Sequence, residues 1–168
     1  MSKVEELKAK VLKAQQEADI ASLYVLESQA HEVFDEETLH GYYANILDLA
    51  LERLTETLEA KTQFDISEVQ DFATLRALYE YAIEHYHADQ KKDAAALFEI
   101  LSGLSNDKKF SDAMQIHQAA AQSDLSLDQF LEKIADIATT QEQKSFYINA
   151  FTKEAQKLLK DSQSKGDN

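Results

Sequence analysis

Residues 78–101 read LYEYAIEHYHADQKKDAAALFEIL, and their spacing decides the fold. Leu78, Tyr79, Ala82 and Tyr86 share one helical face. The polar turn Ala88-Asp89-Gln90 intervenes, and Ala94, Phe98 and Leu101 then resume helical spacing. The stretch predicts two short helices folded back on each other. Their packing rests on a small residue in each helix, Ala82 and Ala94, against which a ring of the other helix can approach the backbone.

The same pattern extends outward in both directions. The 168 residues include no proline and three glycines, and Ala, Leu, Glu, Gln and Lys dominate. These five lose least conformational freedom on entering a helix. Helix starts are marked by Ser2 with Glu5, Asp35, Asp65 with Glu68 (flanked by Phe64 and Val69 as a staple), Asp107, and Ser126 with Gln129. Leu39, Tyr43, Ile46, Leu47, Ala50, Leu54 and Leu58 mark a long amphipathic helix to about Lys61, and Phe72 joins Leu75 and Tyr79 on the face of the next. Residues 3–33 fit one helix or two. Gly41 costs roughly 1 kcal/mol relative to alanine, which suits either a close helix approach or simple tolerance. Gly103 stands where a left-handed helix cap belongs. A last helix opens near Thr139 and carries Phe146, Ile148 or Tyr147, Phe151, Ala155, Leu158 and Leu159. The expectation is an all-α protein of seven or eight antiparallel helices, a stack of helical hairpins or a bundle. It forms a single domain over residues 1–160 with a frayed polar tail at 161–168.

Composition removes several function classes. No run of 18 apolar residues is present, so a membrane span is not expected. The first residues lack the apolar core of a secretory signal, which makes the cytoplasm the expected location. There is no cysteine for a disulfide or a thiol nucleophile. The net charge is −14, and residues 1–63 alone carry 6 basic against 13 acidic side chains. A phosphate backbone is repelled by such a surface, so no nucleic-acid partner is expected.

The hairpin at 78–101 resembles one tetratricopeptide unit, a helical pair about 34 residues long. It is most similar to the first repeat of type III secretion translocator chaperones, matching at Leu78, Tyr79, Ala82, Tyr86, Asp93, Ala94, Phe98 and Leu101. It departs at Asp89, where the family has its turn glycine, and at Lys91, where it has an aromatic residue. The positions that would repeat Ala94 and Phe98 are Asp128 and Glu132, so the likeness is confined to a single unit. The resemblance implies a chaperone or adaptor that holds a segment of another protein.

Chemistry-bearing constellations are few. Glu37/His40 and Glu84/His87 have the Glu-x-x-His spacing of di-iron bundles, but their helical phase points them outward. His85, His87 and Tyr81 flank the hairpin, while His117, beside Ala113 and Ala120, suits a partnered histidine at a helix interface. The adjacent pairs Tyr42/Tyr43 and the close pair Tyr79/Tyr81 cannot both face the core, so one of each is expected at the surface, where tyrosine is a favoured contact residue. Tyr42, Tyr81 and His85 are the partner-contact candidates. Leu78, Tyr79, Ala82, Tyr86, Ala94, Phe98 and Leu101 form the scaffold. No catalytic residue, cofactor or metal is assigned. The expected function is non-catalytic binding of a peptide or amphipathic helix between hairpins. A homo-oligomeric structural bundle, for instance a homodimer, and a metal-binding helical enzyme stand as alternatives.

Overall fold

Side-chain caps decide where most helices begin. A computed structural model describes residues 2–166, with side chains described through residue 163. Ser2, Asp19, Asp35, Asp107, Ser126 and Asp136 each accept a hydrogen bond from an N–H of the helical turn that follows. Each such bond satisfies one of the N–H groups that a helix start leaves orphaned. At Ser126 the reciprocal box is complete: its Oγ accepts from Gln129 N–H and Gln129 Oε1 accepts from Ser126 N–H.

The resulting elements are α1 Lys3–Gln16, α2 Ile20–Val25, α3 Glu27–Val33, α4 Glu36–Ala60, α5 Val69–His87, α6 Lys91–Leu104, α7 Lys108–Gln122, α8 Leu127–Lys133, α9 Ile137–Glu142 and α10 Glu154–Gly166. The fold is all-α. Among the described residues ten helices stand in place of the expected seven or eight, because three junctions break the pattern. Ala18 turns left-handed, so α1 stops before Asp19 restarts the chain as α2. Leu26 serves as cap to both α2 and α3. The helix expected from Thr139 onward stops at Glu142, and residues 143–153 are irregular. Helix α10 continues past Lys160 to Gly166, and the last two residues of the expected tail lie outside the described ones.

Glycine does not terminate these helices. Ala18, Lys61, Asp89 and Asp124 take left-handed backbone angles, φ 53, 56, 63 and 63. The next N–H then reaches five residues back, Asp19 to Ala14, Thr62 to Thr57, Gln90 to His85 and Leu125 to Ala120. This double-bonded ending normally favours glycine. Gly103, expected to be such a cap, lies inside α6 instead, and no described glycine has positive φ. Gly41 marks no close helix approach, since nothing lies within 4 Å of where its Cβ would be.

The start of α5 also departs from expectation. Glu68, not Asp65, caps it, its carboxylate accepting from Gln70 and Asp71 N–H. Val69 is consequently 65% exposed and the staple with Phe64 does not form. Phe72 is 44% exposed, because α5 turns Ala73, Thr74 and Leu75 inward. Thr74 is admitted to the core because its hydroxyl donates to the Gln70 carbonyl one turn back.

Two compact units result, Met1–Ala77 and Leu78–Asn168, and α5 is continuous across their boundary. In the first unit α1 packs on α2 and α3, and α4 packs on α2. Leu7, Val11, Leu23, Tyr42, Ile46 and Leu54 supply much of its core. In the second, α6 runs along α7 and α10 lies against α7, over a core of Tyr86, Phe98, Phe110, Met114 and Phe130. Among the described residues no helix is long and apolar enough to cross a membrane.

Candidate functional site

The seven scaffold residues of the hairpin, Leu78, Tyr79, Ala82, Tyr86, Ala94, Phe98 and Leu101, are all buried. Ala82 and Ala94 have no exposed surface, and the Tyr79 and Tyr86 rings lie 6.3 and 6.2 Å from the Phe98 ring. Tyr86 keeps its hydroxyl satisfied by donating to the Leu125 carbonyl at 2.7 Å. The turn closes through Asp89 in the left-handed conformation, so aspartate performs at this position the backbone role that suits glycine. Lys91 follows it, with Nζ 3.4 Å from the Asp89 carboxylate and 2.8 Å from that of Asp124.

The three contact candidates separate. Tyr81 and His85 sit one turn apart on α5, both half-buried, with ring centroids 4.6 Å apart in an edge-on arrangement. His85 Nδ1 also meets Gln90 Oε1, bracing the turn. Tyr42 is not a surface residue. It is 3% exposed, its hydroxyl donates to the Leu23 carbonyl, and burial pushes its pKa up to about 12. The core stripe of α4 is Tyr42, Ile46, Ala50 and Leu54, one residue out of phase with the expected Tyr43 and Leu47.

Tyr43 takes the outer position, within a network the sequence did not disclose. Its hydroxyl lies 2.7 Å from Glu27 Oε2 and 2.7 Å from His31 Nε2. Glu27 also meets the Arg76 guanidinium at 3.2 Å, and that guanidinium lies 3.9 Å over the Tyr24 ring. These residues come from α2, α3, α4 and α5, so no local spacing links them.

The open groove between α6 and α7 is the second candidate. It has a volume of about 410 Å³ and is lined by Ala95, Ala96 and Ala121, with Lys91, Lys92, Glu99, Gln122 and Asp124 around them. Small side chains on both helices leave the space, and charges of both signs rim it.

The most enclosed polar group of the second unit is His117. Its Nδ1 lies 2.7 Å from the Ala113 carbonyl, so Nδ1 carries the proton and donates. Nε2 therefore accepts from the Tyr79 hydroxyl at 2.9 Å, and the Tyr79 oxygen accepts from Ile148 N–H at 3.1 Å. Rings surround the imidazole, with Phe130 at 4.8 Å, Phe98 at 5.0 Å, Tyr79 at 5.3 Å and Phe151 at 6.0 Å. Burial pushes the His117 pKa down to about 4, against a smaller opposing effect of the Ala113 hydrogen bond. Burial likewise raises that of Tyr79. The imidazole is neutral at pH 7 and its hydrogen bonds are complete. A partnered histidine was expected at 117, but the partner arrives from 38 residues upstream.

The Glu-x-x-His pairs do not converge. Glu37, His40, Glu84 and His87 are all exposed, and no group of three or more His, Cys, Asp or Glu comes together among the described residues. No family model matches the chain, and neither does any curated protein or solved structure.

Proposed function

We propose that the chain is a non-catalytic protein-interaction module that holds a peptide or amphipathic helix of another protein between its helical hairpins. The groove between α6 and α7 carries this reading. Its volume of about 410 Å³ falls within the range of ordinary ligand pockets, about 300–1,000 Å³. An alanine floor accepts larger apolar side chains from an approaching helix, and Lys91, Lys92 and Glu99 offer both signs of charge to its polar flank. Tyr81 and His85 on α5 form the second contact, two half-buried rings meeting edge-on. The likeness of residues 78–101 to a tetratricopeptide hairpin of translocator chaperones supports the same class of work, as adaptor, chaperone or assembly factor in the cytoplasm. The net charge of −14 favours a basic partner over an acidic one.

The test is affinity capture from an extract of the source organism, with candidates then purified and titrated against the wild type, Ala96→Trp and the double variant Tyr81→Ala/His85→Ala. A partner that binds the wild type stoichiometrically and loses affinity on filling the groove supports the proposal. A partner whose affinity is indifferent to both changes removes it. Light scattering across micromolar concentrations separates this from self-assembly, in which a second copy would occupy the same surface.

A further inference from the structure

Residues 145–152, SFYINAFT, cross the second unit without helical structure. The segment is held along its length. Ile148 N–H donates to the Tyr79 hydroxyl, and Asn149 and Ala150 N–H reach Thr140 Oγ1 at 3.3 and 3.2 Å. Ala150 and Thr152 pair with the chain at Asp136 and Ile134, flanking an antiparallel bridge between Ala135 and Phe151. Its rings close the aromatic box: Phe146 and Tyr147 on Tyr79 and Phe110, and Phe151 on His117.

We infer that this segment is a strap latched by neutral His117, and that mild acid releases it to uncover the aromatic box in the second unit. The latch works through hydrogen-bond direction. Tyr79 can hold Ile148 and donate its own proton only while Nε2 is an acceptor. A protonated imidazole donates from both nitrogens, so the Tyr79 hydroxyl loses its acceptor and meets a second donor. The charge would also stand in a box of rings with no exposure to water.

Among the described residues no carboxylate pairs with His117 to compensate it. The groups facing His117 are Tyr79 from α5, the Ala113 carbonyl of α7, Phe98 from α6, Phe130 from α8 and Phe151 from the strap. Beyond Tyr79 lies one further titratable group, Tyr147, and beyond that Asp107, which with burial raises the Tyr147 pKa to about 12. Asp93 and Glu99 of α6, Asp112 of α7, and Asp128 and Glu132 of α8 are exposed. Asn149 Oδ1, on the strap itself, is buried with no hydrogen-bond partner among the described residues, a burden that release removes.

In the closed state His117 binds its proton only near pH 4, whereas in the open state it is an ordinary histidine near 6.5. The open population therefore rises about tenfold for each pH unit between those values, and roughly 300-fold in all. Hydrogen exchange of the full chain, read by mass spectrometry as protection factors corrected for intrinsic pH dependence, follows this directly. Protection of residues 145–152 is expected to fall by that slope from pH 6.5 to 4 while α4 stays protected. In His117→Phe, which keeps a ring but cannot titrate, the fall is expected to vanish. If that variant does not fold, His117→Gln answers instead: its amide can take the place of the imidazole but cannot titrate, so protection is expected not to follow acid. An unchanged acid slope in either variant overturns the proposal. So does a strap that stays protected at pH 4, or one that loses protection only together with α4.

Discussion

Lys91 Nζ lies 2.8 Å from the carboxylate of Asp124, 33 residues further along the chain. Both residues adjoin left-handed helix endings, at Asp89 and at Asp124 itself. The ion pair thus ties the α5–α6 turn to the α7–α8 turn, and it stands at a position where the resembled family has a turn aromatic. The lysine pair pulls the Asp124 pKa below the usual carboxylate value, and Asp124 raises that of Lys91. Because Asp124 is 89% exposed, salt should screen the pair strongly. The expected outcome is that the Asp124 carboxyl, followed by NMR, titrates below its ordinary value at low salt. It should move back up both in 1 M salt and in Lys91→Ala. The pair's small contribution is present above the ordinary carboxylate pKa and is lost as pH falls through the lowered one.

The glycines and the left-handed residues are misplaced relative to each other, and exchanging them should stabilise the chain. Gly41 and Gly103 lie within α4 and α6 with open space at the Cβ position. Each Gly→Ala change is expected to add about 0.5–1 kcal/mol, by lowering the entropy lost on folding. Ala18 sits at φ 53, where a side chain costs roughly 1–2 kcal/mol. Ala18→Gly removes that cost while loosening the unfolded chain by about 0.4–1 kcal/mol, for a net gain of about 0–1.6 kcal/mol. Urea denaturation of the three single variants and of the triple variant measures this. The three sites lie on or beside different helices, α1, α4 and α6, so the gains are expected to add.

Tyr42 and Tyr81 should behave in opposite ways. Tyr42→Phe strips the hydroxyl that serves the Leu23 carbonyl and is expected to lower stability by about 1–2 kcal/mol, leaving partner capture unchanged. Tyr81→Ala with His85→Ala is expected to weaken capture, since this half-buried pair reaches the surface. A melting curve and a binding titration on each variant separate the roles. Capture lost in Tyr42→Phe but kept in the double variant would reverse the assignment.

The hairpin was legible because both its signals are local. Helical spacing placed Leu78, Tyr79, Ala82 and Tyr86 on one face, and the turn residues fell where the face had to change. Tyr42 was misread because α4 is apolar on two adjacent stripes. Leu39, Tyr43 and Leu47 compete with Tyr42, Ile46 and Ala50, and the choice is made by tertiary contacts such as that of Tyr42 with Leu23 of α2. Gly103 was misread for a related reason, since Leu104 finds a buried place by continuing the helix. The strap was missed because Phe146, Tyr147 and Phe151 can be fitted to a helical face. A signal was nevertheless present: FYINAFT is rich in aromatic and β-branched residues and poor in strong helix formers, a composition that suits extended chain. The latch at His117 had only part of a local signal: Ala113 and Ala120 marked an interface histidine, but Tyr79 and Phe151, which complete its surroundings, lie far along the chain.

His117 also sets the acid side of the stability profile of the second unit. Its pKa is about 4 when folded and near 6.5 when unfolded. Between those values the unfolded chain binds the proton that the folded chain refuses. Stability is therefore greatest above the unfolded value and declines as pH falls toward 4, below which this group adds no further loss. The difference corresponds to roughly 3 kcal/mol, a large share of the 5–15 kcal/mol of an ordinary domain. Urea midpoints across pH 7.5 to 3.5 are expected to show the decline in the wild type, overlaid on the separate contribution of carboxylates below about pH 5. In His117→Phe the part between 6.5 and 5 should flatten, even though the variant is less stable at pH 7 through the loss of the Tyr79 and Ala113 hydrogen bonds. A slope in that interval equal to the wild type's would show that His117 takes up its proton alike in the folded and the unfolded chain, contrary to a pKa lowered by burial.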